Sequence, residues 1–155
     1  MTIALSTTVH TSFDDAVQRT REALAHNGFG VLTEIDMKAT LKDKLGADME
    51  NYMILGACNP PLAHQAVTVD RQIGLLLPCN VVVRADPTDQ NTVIIEAMNP
   101  RLLVEVTGEA GLQPVADEAA AKLQAAIDSF ASHHVANSAS PAARGGDGML
   151  PPVCH

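Results

Sequence analysis

The order of the apolar segments is the feature that most limits how this chain can fold. Apolar or alternating runs at about 3–9, 29–36, 52–58, 75–85 and 92–98 predict strands. The last four runs follow one another between two long amphipathic helices, without a regular alternation of strand and helix. This order is typical of an antiparallel sheet with helices on one face, so we expect a two-layer α+β fold.

Capping residues mark the predicted helices. Ser12 is suited to cap the first long helix, and Asn27-Gly28 is suited to end it. The last long helix is expected from about Pro114 to Phe130. Between them, a short helix ends at Gly46, and Asn59 followed by two prolines predicts the start of another. The main elements are therefore a strand, a helix, four strands and a helix.

The composition changes near Ala131, where the patterned part of the chain ends. Residues 1–130 contain all the predicted strands and long helices, and 155 residues suit one domain with its own core. Residues 131–155 are mostly small or polar and show no periodicity, which is typical of a flexible tail. We therefore expect a single domain over residues 1–130 and a low-complexity tail.

Composition and charge exclude some partners. Hydrophobic residues make up 46% of the chain and aromatic residues only 3%, so the core must be aliphatic and rich in alanine. The formal net charge is −8, and ten lysines and arginines leave no basic stripe to neutralise phosphates. Because base stacking also needs aromatic side chains, we do not expect a nucleic-acid partner.

The chain shows neither a membrane-spanning segment nor a secretory signal. No run reaches the roughly 18 apolar residues of a transmembrane helix. The N-terminal residues lack a positive n-region and read as a strand. Three cysteines cannot all pair within one chain, and thiols stay reduced in the cytosol. We expect a soluble cytoplasmic protein with free thiols and no membrane partner.

The predicted fourth strand is apolar on both sides. Leu75, Leu77 and Cys79 lie on one side of it, and Leu76 and Val82 lie on the other. Helices on one face of the sheet leave the other face to be covered. A second copy of the chain would cover it, as in many two-fold dimers, so we expect a homodimer.

Two Cys-Asn dipeptides are the most distinctive chemical groups in the predicted domain. Cys58-Asn59 ends one apolar run, and Cys79-Asn80 lies within the next strand. If these runs are strands of one sheet, their ends can bring two thiols and two carboxamides together with the nearby His64. The sequence thus predicts a ligand pocket formed by Cys58, Asn59, His64, Cys79 and Asn80.

Each of these residues also has a structural interpretation. A buried cysteine often acts as a small hydrophobic residue, although Cys58 precedes a helix N-terminus, where the dipole can lower a thiol pKa. Asn59 is well placed as a helix cap. By its spacing His64 points to solvent or to a subunit interface. Asn80, in mid-strand, would need buried hydrogen-bond partners or a ligand.

Residues 52–63 and 73–83 carry a family resemblance. The segments Tyr52 to Ala63 and Ile73 to Val83 resemble the bacterial and archaeal domain-of-unknown-function family 302. The resemblance extends over roughly residues 2–130. It implies a small α+β domain with a TATA-binding-protein-like topology that is usually a dimer. It implies no established activity, since the family is named for lacking one.

Two functional hypotheses remain open from the sequence. The first is a binding domain that holds a small ligand, a metal or a haem, with Cys58, His64 and Cys79 as metal ligands, since thiolate and imidazole are common transition-metal donors. The second is a thiol redox enzyme or redox partner in which Cys58 reacts and Cys79 resolves it. Binding is favoured because no general base is evident beside either thiol.

Overall fold

The computed structural model describes residues 2–138. Residues 139–155, most of the predicted tail including Cys154 and His155, lie outside the described part. The strands are β1 (Ala4–His10), β2 (Gly30–Asp36), β3 (Tyr52–Cys58), β4 (Cys79–Asp86) and β5 (Asp89–Met98). The helices are α1 (Phe13–His26), α2 (Met37–Leu45), α3 (Pro60–Val69), α4 (Leu102–Thr107) and α5 (Gln113–Ser138), with 3₁₀ helices at Arg71–Leu76 and Ala110–Leu112.

The strands form a single antiparallel sheet in the order β1-β5-β4-β3-β2. Helices α1 and α5 pack against each other and against the sheet. Alternate residues of β4 are buried, beginning with Cys79, Val81 and Val83, as expected when one face is covered by helices. The predicted α+β fold with two long helices on one face is confirmed.

Helix α1 forms where its sequence signals predict it. The hydroxyl of Ser12 accepts a hydrogen bond from the Asp15 backbone N–H at 3.2 Å, which caps the first turn. Ala16, Thr20 and Leu24 share one face and are buried. The last helix is longer than predicted, because α5 continues beyond Phe130 to Ser138.

The core consists of two groups of buried side chains. The main cluster lies between the sheet and helices α1 and α5, and includes Leu55, Val83 and Ile95. The end cluster joins α3, the first 3₁₀ helix, α4 and the start of α5. Leu77 and Met98 pack against both clusters. The end cluster comprises Leu62, Ala66, Ile73, Leu103, Leu112, Val115 and Ala119.

The fourth strand begins later than the sequence pattern predicts. Residues 71–76 form a 3₁₀ helix instead, and Leu75 is 84% exposed. Pro78 lacks the N–H that the ladder requires, so pairing starts at Cys79. Pro78 directly precedes β4, which lies inside the sheet between β5 and β3. A short apolar run does not distinguish a strand from a short helix, which explains the difference.

A bulge in β2 changes the predicted facing of that strand. Val31 pairs with Ala57 and Thr33 pairs with Gly56, with a register shift between the two pairs. Ala57 and Gly56 are neighbours in β3 and point to opposite faces of the sheet. Their partners Val31 and Thr33 therefore also face opposite sides. A regular strand over residues 29–36 would place Val31 and Thr33 on one face, and the bulge prevents this. Leu32, at the bulge, is 67% exposed.

Gly56 provides a test of this packing. A Cβ at Gly56 would clash with the Thr33 hydroxyl and would lie 2.8 Å from Cγ of Pro78. Gly56→Ala should therefore lower the free energy of unfolding by about 1–3 kcal/mol, measured by urea denaturation. Gly30→Ala is the control, since a Cβ there meets nothing within 4 Å. Equal stability of the two variants would contradict this close packing around Gly56.

Candidate functional site

An apolar cavity of about 310 Å³ lies where the main cluster meets the end cluster. We call it the seam cavity. It is partly open to solvent, and its walls come from the start of β2, the end of β3, the start of β4, α3, the first 3₁₀ helix, α4 and α5. Its lining residues are Phe29, Leu32, Ala57, Cys58, Asn59, Leu62, Ala63, Ala66, Val67, Gly74, Leu77, Pro78, Cys79, Leu103, Val115 and Ala119.

Small side chains leave this space unfilled. Ala57, Ala63, Ala66, Ala119 and Gly74 all line the cavity, and Phe29 is its one aromatic wall residue. No charged side chain belongs to the lining. The cavity can therefore accept an apolar group, but it offers no counter-ion for a buried charge.

The antiparallel pairing of β3 with β4 places both predicted thiols in the cavity wall. Ala57 pairs with Cys79, so Cys58 lies beside that pair at the same end of the sheet. Burial, and to a lesser extent the Cys58 thiol, raises the pKa of Cys79 to about 11. At neutral pH Cys79 is therefore a protonated thiol with little nucleophilic character.

Asn59 serves as the cap of α3. Its side-chain oxygen accepts the Leu62 backbone N–H at 3.2 Å. Pro60 and Pro61 have no N–H, and the Ala63 N–H donates to the Asn59 carbonyl at 2.9 Å. The first turn of α3 thus has no backbone N–H left for a Cys58 thiolate. The activation of Cys58 that the sequence predicts is therefore not supported by a hydrogen bond from this helix.

The structure places His64 and Asn80 outside the seam cavity. His64 is exposed on α3 and lines a separate groove with Val69 and Pro114. Asn80 is exposed and pairs with Gly56 on the sheet face away from α1 and α5. The expectation that Asn80 needs buried partners is wrong, because its side chain is not buried. Strand alternation separates Asn80 from the neighbouring Cys79.

The donor groups also bear on the metal and haem hypotheses. Within residues 2–138, no group of three or more His, Cys, Asp or Glu side chains could hold a metal ion. The predicted set of Cys58, His64 and Cys79 is not assembled, since His64 lies in a different groove. The cavity wall offers two thiols as donors, and Cys79 is protonated at neutral pH.

Several residues that shape the cavity were not identified from the sequence. Gly74 and Leu77 come from the first 3₁₀ helix and its end, Leu103 comes from α4 and Val115 comes from α5. Their apolar character is common to all core residues and gives no separate signal. Gly74 is the one glycine in the cavity lining, and a Cβ at this position would meet nothing within 4 Å.

Together these features define a two-layer α+β domain with an apolar cavity beside two thiols. The chain belongs to the DUF302 family (Domain of unknown function DUF302), which matches residues 5–130. This match confirms the resemblance seen in the sequence. No curated protein matches the chain significantly. Within residues 2–138, no helix combines the length and the hydropathy needed to cross a membrane.

A solved structure supports the family assignment. The crystal structure of the uncharacterized conserved protein DUF302 from Bacillus stearothermophilus shares 28% sequence identity with this chain. The match covers 83% of this chain and 98% of the other, with a TM-score of 0.75. The domain architecture is therefore shared with this relative.

The pKa of Cys79 predicts how stability changes at alkaline pH. Its thiol has a pKa of about 11 when folded and an ordinary value of 9.0, so the unfolded chain releases this proton first. Stability should fall between pH 9 and 11, by no more than about 3 kcal/mol from this group. Urea unfolding of wild type and Cys79→Ala across this pH range isolates the contribution of the Cys79 thiol to the free energy of unfolding.

Cys58→Ala is the matched control. It should keep most of the alkaline loss of stability, because burial of Cys79 is the larger cause of the pKa shift. An identical pH dependence in wild type and Cys79→Ala would show that this thiol does not titrate at such an elevated pKa.

Proposed function

We propose that the protein is a binding domain that holds a small, mainly apolar ligand in the seam cavity. The observation that carries this proposal is the cavity itself, about 310 Å³ in volume and lined without a charged residue. Ligand pockets in proteins usually measure about 300–1,000 Å³, are mostly apolar and contain a few polar groups. Cys58 and Asn59 are such groups in the wall of this cavity.

The packing of the wall supports a ligand rather than an unused gap. Protein interiors are close-packed, and a void forfeits dispersion contacts along its lining. An apolar ligand would restore those contacts and remove cavity surface from water at about 25 cal/mol per Å². Within residues 2–138 no group of three or more donor side chains is assembled, so the metal version of the binding hypothesis receives less support.

The thiol redox alternative rests on the presence of Cys58 and Cys79 in the same wall. Thiol exchange requires a thiolate, and the raised pKa of Cys79 makes that form scarce at neutral pH. Because Cys79 would be a poor resolving thiol, ligand binding is the better-supported function.

Blocking the cavity mouth tests the proposed function. Gly74 is exposed and lines the cavity, and a Cβ added there would meet open space, so Gly74→Leu should fill the mouth without a clash. The neutral fluorescent probe N-phenyl-1-naphthylamine should bind wild type saturably with one site per chain. Gly74→Leu should weaken this binding at least about tenfold, equivalent to about 1.4 kcal/mol.

Ala125→Leu is the control for this experiment. It adds the same side chain on the exposed face of α5, away from the cavity lining. Its probe affinity should equal that of wild type. If wild type gives no saturable signal, or if Gly74→Leu binds as tightly as wild type, the seam cavity is not the ligand site.

We also propose that the domain is a cytoplasmic homodimer joined through the sheet face away from α1 and α5. On this face Ile35 pairs with Ile54, and Ile54 pairs with Val82. The neighbouring charges of Arg84 and Glu96 form an ion pair at 2.8 Å. A second copy can cover such a face without burying an unpaired charge, and a two-fold axis makes the face complementary to itself.

Light scattering tests this assembly. Wild type should show twice the monomer mass at micromolar concentration, and Ile35→Glu should show the monomer mass, because a charge would enter the apolar part of the interface. Val106→Glu, at an exposed valine on α4, is the matched control and should remain dimeric. A monomeric wild type would rule out the proposed dimer.

A further inference from the structure

The 3₁₀ helix Arg71–Leu76 forms one side of the cavity mouth. A 3₁₀ helix has three residues per turn, so Arg71, Gly74 and Leu77 follow one another on the same side. Gly74 and Leu77 line the seam cavity. Arg71 is exposed and lies one turn before Gly74, about 6 Å along the helix axis. A guanidinium on its long side chain can therefore reach the mouth.

Arg71 takes no part in the ion pairs of the described residues. The six ion pairs within residues 2–138 use Arg19, Arg21, Lys42, Arg84, Arg101 and Lys122. The adjacent carboxylate of Asp70 accepts the Gln72 backbone N–H at 2.9 Å, as the cap of the 3₁₀ helix. The guanidinium of Arg71 thus has its donors available to a ligand.

The cavity and Arg71 together define two chemical zones. The interior carries no charged residue, so any charged part of a ligand must stay at the mouth. There a guanidinium can bind a carboxylate through two parallel hydrogen bonds. We propose that the ligand is an anionic amphipath, such as a medium-chain carboxylate, with its chain in the seam cavity and its carboxylate on Arg71. This inference rests on the proposed function of the cavity.

Three probes with alkyl chains of eleven or twelve carbons and different head groups test the inference. Dodecanoate, dodecan-1-ol and dodecyltrimethylammonium would each displace N-phenyl-1-naphthylamine at concentrations below micelle formation. Wild type should prefer dodecanoate. Arg71→Gln should bind dodecanoate about fivefold more weakly, the value of an exposed ion pair of about 1 kcal/mol, and should bind dodecan-1-ol unchanged.

Lys44→Gln is the matched control. Lys44 is an exposed cation of α2 that forms none of the ion pairs above, so this variant changes the net charge equally while leaving the mouth intact. Its affinity for dodecanoate should equal that of wild type. Added salt should weaken dodecanoate binding to wild type but have little effect on Arg71→Gln.

The outcomes separate this inference from the function on which it rests. If dodecanoate and dodecan-1-ol both bind, and Arg71→Gln keeps the wild-type preference, the role of Arg71 is overturned while the cavity remains a ligand site. The same holds if Lys44→Gln loses as much affinity as Arg71→Gln. If none of the three probes displaces the fluorophore and the fluorophore itself does not bind, the proposed function fails as well.

Discussion

The antiparallel pairing of β3 with β4 is the interaction on which the seam cavity depends. It sets Ala57 opposite Cys79, so one strand ends where its neighbour begins. The chain leaves β3 directly into α3 and enters β4 directly from the 3₁₀ helix and Pro78. Both connections therefore lie at the same edge of the sheet. The walls of the seam cavity follow from this one pairing.

The cavity itself results from the choice of side chains at that edge. The alanines on β3, α3 and α5 have side chains too short to fill the space between these elements. Larger residues such as Leu62 and Leu103 form other parts of the wall. A chain with almost no aromatic residues has few side chains large enough to fill such a gap. The domain is stabilised elsewhere, by the aliphatic main cluster between the sheet and its two long helices.

At the same edge of the sheet, apolar residues line the cavity and charged residues lie outside it. Inside the cavity, burial raises the pKa of Cys79 and keeps it protonated, and the first turn of α3 is satisfied by Asn59 and by its own backbone. The charged residues remain outside, where water solvates them. A ligand that matches this division has an apolar body and a polar or charged end. This division is the basis on which we propose ligand binding.

Local patterns in the sequence determined the fold class, the caps of α1 and α3, and the apolar identity of the core. They also placed Cys58 at the end of one predicted strand and Cys79 within the next, whereas the pairing of these two strands is a property of the tertiary structure. Only the tertiary structure decided that His64 and Asn80 lie outside the cavity and that residues 71–76 form a 3₁₀ helix at its mouth. The seam cavity is likewise tertiary, since α3, α4 and α5 must pack together before Gly74, Leu103 and Ala119 can line one open space.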